Sequence, residues 1–379
     1  LTNNKKQNVD YTDCSTRFYQ VSRDFSKQYA HIYSARLNTF RNILTPLIMK
    51  KWSNSYKILK LCDLREKGTT CVIIGTLFKF QELKPSILKE LSDQLEIIPQ
   101  PTRLVQLKYS LVLEDELQRI KLVGDCIDVH QVATGVVCSF YTEDIILSII
   151  IKFKIADHMF SLHLLLEWLS GLSGTSQYQE EISKIVRVIV AGNVLIDLSI
   201  CVFLFHTHTT TTAVSAVAPL DLMPGSKDPT GIMLPQKPFH YCLFPKSIEY
   251  QSFNRVSNPY ECFMCLGTSG EPIKDIKRYS KLDDNLEILK KTLQWRHLAP
   301  TCPDTVPCTP CIDTDPFVIY NCPAVYFCGN AEEFATELYK GPDGQSVRLV
   351  CVPDFCTTKT VALVNFANME CYSMTFSSQ

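Results

Sequence analysis

Four apolar runs along the chain each predict a buried β-strand, and each run ends abruptly in small polar residues. The runs are Leu164–Leu169, Arg187–Ala191, Leu220–Pro224 and Ala324–Cys328, and they are followed by Ser170, Gly192-Asn193, Gly225-Ser226-Lys227-Asp228 and Gly329-Asn330. A single Gly-Asn pair after a strand is a common turn. Four such strand ends constrain the fold much more strongly, because buried strands that alternate with loops and helices belong to an α/β domain.

The order of these strand ends resembles that of two-metal phosphoesterases, whose corresponding turns are D-x-H, G-D, G-N-H-[DE] and G-H-x-H. In this chain the degenerate ligand positions are Ser170, Asn193, Ser226, Lys227, Asn330 and Glu332. An amide nitrogen cannot ligate a metal, its oxygen is a weak neutral donor, and the Lys227 ammonium opposes cation binding. The pattern therefore predicts a phosphoesterase fold with no metal, no other cofactor and no catalytic residues.

The first part of the chain is patterned differently. Residues 24–60 have helical spacing, which Thr45-Pro46 is expected to interrupt. Short β-segments and one helix follow, at Thr70–Leu77, Pro85–Leu95 (the helix), Leu107–Leu113, Arg119–Val123 and Val132–Ser139. Several short strands with one intervening helix predict a small barrel such as an OB-fold.

The later part of the chain predicts further α/β elements. Leu282–Trp295 has helical spacing, and Val347–Pro353 and Thr360–Phe366 have the composition of strands. The predicted fold class is therefore mixed α+β, with an N-terminal barrel and a following α/β domain. The expected domain bounds are a flexible tail at 1–23, a barrel domain with its preceding helix at 24–157, and a phosphoesterase-like domain at 158–379.

Charge is unevenly distributed. The first 60 residues contain eleven Lys or Arg and three Asp, which leaves this segment at +8 in a chain of net charge −1. One interpretation is a surface that meets nucleic acid or an acidic partner, and the other is a solvated helix face. The sequence alone leaves both open.

The chain has 17 cysteines, and most of them lie in apolar strand-like runs. Free cysteine packs as a small hydrophobe, so a reducing intracellular compartment is expected, and the polar first residues do not resemble a signal peptide. Cys262 and Cys265 are expected to point to opposite faces of a strand and to pack in a core. Cys308 and Cys311, with Cys302 and Cys322 nearby, lie in a predicted loop, where a structural zinc site is the less favoured alternative.

Other candidate sites are weaker. His206 and His208 lie in a Thr tract that is better interpreted as low complexity. Gly267-Thr268-Ser269-Gly270 lacks the spacing of a nucleophile elbow and predicts a tight turn. Glu114-Asp115-Glu116 predicts a surface corner. Three apolar stretches, Ile145–Ile151, Phe160–Leu169 and Leu198–Phe205, are too short to cross a bilayer, so core strands are expected.

Longer stretches resemble the B-subunit family of replicative DNA polymerases, and in particular the small subunits of DNA polymerase delta. The stretches are Phe25–Leu37, Val72–Leu88, Leu111–Leu122, Asp221–Pro229, Leu266–Gly270, Cys322–Gly329 and Lys340–Ala362. The resemblance implies an OB-fold joined to a calcineurin-like phosphodiesterase domain, a two-sheet α/β sandwich that has lost its metal ligands. Two segments, Glu143–His158 and Asp197–Ala218, depart from the family pattern.

The resemblance also implies a function. The chain would be a nuclear, non-catalytic subunit in DNA replication and repair synthesis. It would bind the C-terminal domain of the catalytic subunit and a third subunit that carries the sliding-clamp tether, with weak or indirect DNA contact and no membrane. Two alternatives remain, an active metallophosphoesterase and a freestanding single-strand-binding OB-fold protein.

Overall fold

The structure is a computed structural model that describes most of the chain. The described residues are 11–19, 26, 28–52, 57–64, 71–81, 103–105, 109–123, 127–140, 159–172, 182–194, 210–262, 264–311 and 313–377. They form two compact units. The first unit comprises Arg23–Ile151 and Pro272–Tyr320, and the second comprises Leu1–Ser22, Lys152–Glu271 and Asn321–Gln379.

These units differ from the predicted domain bounds, which were continuous in sequence. Residues 272–320 were expected in the second domain, but they pack in the first unit. The physical reason is a buried ion pair, because Arg36 Nε lies 2.6 Å from Asp315 Oδ2 and both side chains are fully buried. Each of these charges can be buried only because the other neutralises it, so the two segments must pack together. Sequence periodicity does not reveal such a pairing.

The first unit begins with helix α1, Ala30–Trp52. Its buried face carries Ile32, Leu37, Phe40 and Ile48. The predicted interruption at Pro46 is wrong, because the helix continues through this residue. Proline has no backbone N–H, so one carbonyl of the preceding turn loses its hydrogen bond, and because Pro46 is exposed this carbonyl can bond to water. The buried residues Phe40 and Ile48 pack the helix on either side of Pro46.

The sheet of the first unit is built around β2. The strands are β1 Lys57–Leu59, β2 Cys71–Phe80, β3 Ser110–Glu114, β4 Arg119–Leu122 and β5 Val137–Phe140. β2 pairs with β1 in parallel and with both β3 and β5 antiparallel, and β4 extends the sheet beyond β3. Strands β2, β3 and β4 overlap the β-segments predicted at Thr70–Leu77, Leu107–Leu113 and Arg119–Val123, whereas only the end of Val132–Ser139 is a strand, β5. The helix predicted at Pro85–Leu95 lies outside the described residues.

Helices α3 Glu271–Tyr279 and α4 Asn285–Gln294 follow in the later part of the chain. Asp284 caps α4 by accepting hydrogen bonds from the backbone N–H groups of Leu286 and Glu287, at 2.9 and 3.2 Å. The helix predicted at Leu282–Trp295 is therefore confirmed. Its buried residues Ile288, Leu289 and Leu293 recur at helical spacing.

The second unit contains a five-stranded sheet, a three-stranded sheet and a hairpin. The five-stranded sheet has the order β12 Ala335–Lys340, β13 Ser346–Pro353, β11 Val325–Ala331, β10 Cys265–Thr268, β9 Tyr260–Glu261. The three-stranded sheet is parallel and consists of β6 Val188–Ala191, β7 Leu220–Met223 and β8 Phe253–Arg255. The hairpin pairs β14 Thr360–Val364 with β15 Cys371–Thr375, and a short helix, α5 Phe355–Thr358, precedes it.

One of the four predicted strands is a helix. Leu164–Leu169 forms the end of helix α2, Met159–Leu169, so the strand prediction there is wrong. A short continuous apolar run does not distinguish a strand from a buried helix. Leucine has high helix propensity, and this run has no β-branched residue. Trp168 and Leu169 are buried in a core with Leu220, Leu222 and Phe253.

Residues 11–19 of the predicted tail make contacts within the second unit. Asp13 forms an isolated antiparallel bridge with Cys262, Arg17 Nε lies 2.8 Å from Glu261 Oε2, and Phe18 is 1 % exposed. A buried aromatic ring and an ion pair therefore pack residues 11–19 against the β9–β10 hairpin. Within the described part of the chain, no helix combines the length and the apolar character that crossing a membrane requires.

Candidate functional site: a hydrogen-bonded network at the strand ends

Three of the four predicted strand ends meet in the second unit. Gly192 follows β6 and has φ +82°, a backbone conformation that favours glycine. A Cβ on Gly192 would lie 2.5 Å from the Cβ of Ser269, just after β10, and 2.9 Å from the Cα of Gly225, just after β7. This close approach explains why a glycine stands at the end of β6.

Asn193 joins the ends of β6 and β7. It has φ 58°, is 8 % exposed, and its Oδ1 accepts a hydrogen bond from the Lys227 backbone N–H at 2.9 Å. Asp228 completes the junction, since its Oδ2 accepts from the N–H groups of Asn193 and Gly225 at 2.7 and 2.8 Å. The Asp228 carboxylate is 5 % exposed and is used to satisfy the backbone.

Asn330, near the end of β11, joins two further segments. It also has a left-handed backbone conformation, with φ 52°. Its Nδ2 donates to the carbonyl oxygens of Ala191 and Ser269, at 2.9 and 3.0 Å. One amide group thereby ties the ends of β6, β10 and β11 together.

A second arm of the network is centred on Asn258, which is fully buried. Its Nδ2 donates to Gln236 Oε1 and to Ser269 Oγ, both at 2.6 Å. Ser269 Oγ also donates to the carboxylate of Glu271, which in turn accepts from the Ser226 N–H at 2.8 Å. We call the set Asn193, Gly225–Asp228, Gln236, Asn258, Ser269, Glu271 and Asn330 the strand-end network.

The structure thus brings together Asn193, Ser226, Lys227 and Asn330 of the six predicted positions. Lys227 contributes its backbone N–H, and its side chain is exposed. Ser170 follows helix α2, where its Oγ donates to the Leu166 carbonyl at 2.7 Å, and it does not stand at a strand end. Glu332 comes directly after the last residue of β11.

Sequence analysis missed Gln236, Asn258 and Glu271 as members of this network. No motif marks them, because Gln236 and Asn258 lie in loops without a periodic pattern and Glu271 is the first residue of α3. Ser269 was correctly assigned to a tight turn, and its hydroxyl is fully buried beside Glu271.

A second buried cluster lies on β7. Asp221 is fully buried and accepts hydrogen bonds from Tyr260 OH at 2.6 Å and Asn254 Nδ2 at 2.9 Å, and it pairs with Arg187. Burial and the Asp221 carboxylate raise the pKa of the Tyr260 hydroxyl above its ordinary value. The cluster therefore keeps Tyr260 protonated as a hydrogen-bond donor.

Two other sequence predictions need correction. Asp115 is buried, and its carboxylate accepts from the N–H groups of Leu61, Leu117 and Gln118 at 2.8–2.9 Å, so it is not part of a surface corner. Burial acts to raise the pKa of Asp115, but these three donors and Arg41 outweigh it and lower the pKa. A carboxylate that caps a turn in this way is structural.

Cys262 and Cys265 do not point to opposite faces. They flank a two-residue hairpin turn and exchange backbone hydrogen bonds, which places their side chains on the same face. His206 and His208 lie outside the described residues. Among the residues that are described, no group of three or more His, Cys, Asp or Glu is arranged to hold a metal ion.

The first unit contains a buried lysine. Lys79 of β2 is 2 % exposed, its Nζ donates to the Tyr279 carbonyl at 3.1 Å, and it lies 4.0 Å from the Tyr109 ring centroid. Burial lowers the pKa of Lys79 to about 7; Asp128 opposes this shift and Lys281 adds to it. The folded state therefore binds fewer protons at this residue than the unfolded chain does between about pH 7 and pH 10.

This difference predicts a pH-dependent stability. The free energy of unfolding should rise with pH between about 7 and 10, by up to about 1.4 kcal/mol per pH unit from this group. Replacing Lys79 with methionine should remove that slope, whereas replacing the exposed Lys121 should retain it. Urea unfolding at several pH values measures both, and an unchanged slope in Lys79→Met would contradict the assignment.

Comparison with known proteins divides the chain into an earlier and a later part. Residues 28–145 match the family model described as DNA polymerase delta subunit OB-fold domain, and residues 152–336 match the model for the B subunit of DNA polymerases alpha and epsilon. The chain is 39 % identical to DNA polymerase delta subunit 2 of Drosophila melanogaster, over 97 % of each chain. It is 33 % identical to the DNA polymerase delta small subunit of Arabidopsis thaliana, over 99 % of this chain and 97 % of that one. The Saccharomyces cerevisiae small subunit is 28 % identical over 92 % of this chain and 89 % of its own.

Proposed function

This chain belongs to the family of DNA polymerase delta small subunits and is an accessory subunit of that polymerase, and from this premise we propose that it is a non-catalytic scaffold. Its second unit would be a calcineurin-like phosphodiesterase domain that has exchanged metal ligands for internal hydrogen bonds. It would hold the C-terminal domain of the catalytic subunit and a third, clamp-tethering subunit together in the nucleus. Such a domain would serve as a docking surface rather than as an enzyme, because function depends on the site that a fold carries and not on the fold itself.

The strand-end network is the observation that carries the proposal. Divalent ions in two-metal phosphoesterases need carboxylate and imidazole ligands that are free to face the cations. Here the Asn193 oxygen accepts from Lys227 N–H, and the Asn330 nitrogen donates to two carbonyl groups. The Asp228 and Glu271 carboxylates accept from backbone N–H groups. These side chains do not fit a metal pair, because their amide and carboxylate groups already make hydrogen bonds that join the strand ends.

The network also supports a structural role for these strand ends. A bridging metal pair ties several strand ends to one centre. Amide and carboxylate groups here connect the ends of β6, β7, β10 and β11 by hydrogen bonds. Each satisfied buried hydrogen bond contributes about 1 kcal/mol, and leaving its partners unpaired costs more.

The basic residues near the N-terminus are less available to nucleic acid than the net charge of the segment suggests. Of those that are described in the N-terminal 60, Arg36 is buried against Asp315, Arg17 pairs with Glu261, and Arg41 pairs with Glu116. Three positive charges are therefore neutralised within the molecule. This reduces the charge available to a nucleic-acid backbone.

Co-expression tests the scaffold directly. The chain should co-migrate on size exclusion with the C-terminal domain of a polymerase delta catalytic subunit, and the complex should persist at high salt if its contacts are largely apolar. Expression of the chain alone, with circular dichroism, serves as the folding control. A folded chain that elutes separately from the catalytic domain would overturn the proposal, and tight salt-sensitive binding of single-stranded DNA by the free chain would favour the rival function.

A further inference from the structure

The β9–β10 hairpin places two thiols opposite each other. The Cys262 N–H donates to the Cys265 carbonyl at 2.9 Å, and the Cys265 N–H donates to the Cys262 carbonyl at 3.2 Å. The pairing continues the antiparallel register of Leu266 with Glu261. Residues that exchange both hydrogen bonds have Cα atoms about 5.5 Å apart and side chains on one face. That separation lies within the range that a disulfide spans, about 4.4–6.8 Å.

The two thiols have different environments. Cys262 is half-buried and Cys265 is buried. The hydrogen bond from the Cys265 thiol lowers the pKa of Cys262 to about 6, against the opposing effect of burial. The same interaction, with burial, raises the pKa of Cys265. Cys262 is the more accessible thiol and loses its proton more easily, so it is suited to attack an oxidant. Cys265 is buried and stays protonated, so it is suited to act as the resolving cysteine.

We propose that Cys262 and Cys265 form a reversible redox dithiol, which hydroperoxides oxidise to a disulfide across the hairpin. The Cys262 thiolate attacks the peroxide oxygen, forming an S–O bond and breaking the O–O bond, so that an alcohol or water leaves. Cys265 then attacks the Cys262 sulfur, an S–S bond forms, and water leaves with the Cys265 proton. Overall, the two thiols lose two electrons and two protons, and one hydroperoxide is reduced to an alcohol or water and a second water.

The disulfide would act on the segment that docks beside it. Asp13 bridges Cys262, the Cys14 N–H donates to the Glu261 carbonyl at 2.9 Å, and Ser15 Oγ accepts from the Glu261 N–H at 2.8 Å. A disulfide draws its Cβ atoms to about 3.8 Å, closer than a hydrogen-bonded strand pair holds them. The hairpin must therefore contract on oxidation, which loosens the contacts to residues 11–19.

The experiment uses the full chain treated with a small excess of hydrogen peroxide and then with an alkylating reagent. We expect the peptide that contains both cysteines to resist alkylation and to be lighter by two hydrogens, and dithiothreitol should restore both thiols. Cys262→Ser should abolish this product. Cys328→Ser should leave it unchanged, although Cys328 and Cys351 Sγ atoms lie 3.6 Å apart, because that pair is sealed in the sheet at 1 % and 0 % exposure.

Hydrogen exchange provides the second measurement. The backbone amides of residues 11–19 should exchange at least severalfold faster in the oxidised protein than in the reduced protein, and Cys262→Ser should show no such change with peroxide. Two intact thiols at Cys262 and Cys265, under conditions that oxidise the exposed Cys62, would overturn the proposal. So would a disulfide that forms without altering exchange in residues 11–19.

Discussion

Replacing Arg36 with methionine is expected to destabilise the protein by about 3–5 kcal/mol, because the substitution leaves a carboxylate buried without its counter-charge. Arg36 Nε lies 2.6 Å from Asp315 Oδ2, and its Nη atoms donate to the carbonyl oxygens of Pro300 and Cys302 at 2.8 and 2.7 Å. Arg36 and His297 together hold the pKa of Asp315 well below its usual value, despite burial that acts to raise it. The methionine would therefore leave the Asp315 carboxylate with only its hydrogen bond to His297, and it would also leave three carbonyl groups without the Arg36 donor.

Arg41 offers a matched control on the same helix. It also pairs with a carboxylate, Glu116, but both side chains are partly exposed, at 21 % and 26 %. Exposed ion pairs contribute about 1 kcal/mol or less, so Arg41→Ala should have a small effect. Urea unfolding followed by circular dichroism compares the two variants, and a similar loss in both would contradict the role assigned to Arg36.

The second large effect is expected at Asp228. Replacing it with alanine removes the acceptor for the buried N–H groups of Asn193 and Gly225, each of which costs about 1–3 kcal/mol when left unpaired. We therefore expect a loss of about 2–4 kcal/mol in the free energy of unfolding. Asp228→Asn retains an acceptor oxygen and should lose less than half of that amount.

Lys227→Ala is the neighbouring control. The Lys227 side chain is exposed and only its backbone N–H joins the network, so the substitution should change stability by less than about 0.5 kcal/mol. The measurement is again urea unfolding, supplemented by hydrogen exchange at the ends of β6 and β7. Equal stability of Asp228→Ala and Lys227→Ala would show that the network does not hold these strand ends.

Much of the fold follows from periodicity in the sequence. Strands β6, β7 and β11 and helix α4 lie where apolar runs and 3.6-residue spacing predicted them. Periodicity failed where one pattern fits two structures, as at Leu164–Leu169, which is helical. It also failed at Cys262 and Cys265, because a two-residue turn reverses the chain between them and the spacing alone resembles a continuous strand.

The candidate site was only partly predictable for a different reason. Asn193 follows β6 and Asn330 lies near the end of β11, and because strand ends are recognisable in the sequence, these two were found. Asn258 and Gln236 belong to loops and reach the site through tertiary contacts that no local pattern records. The same holds for the grouping of Pro272–Tyr320 with the first unit, which depends on Arg36 meeting Asp315 at a sequence separation of 279.

Manganese binding tests most directly the claim that hydrogen bonds have replaced metal ions in the second unit. Crystals soaked in manganese should show no anomalous density beside Asn193, Ser226 and Asn330, and the purified protein should not hydrolyse a phosphodiester in the presence of that ion. A pair of manganese ions bound at these strand ends, together with metal-dependent turnover, would contradict the account.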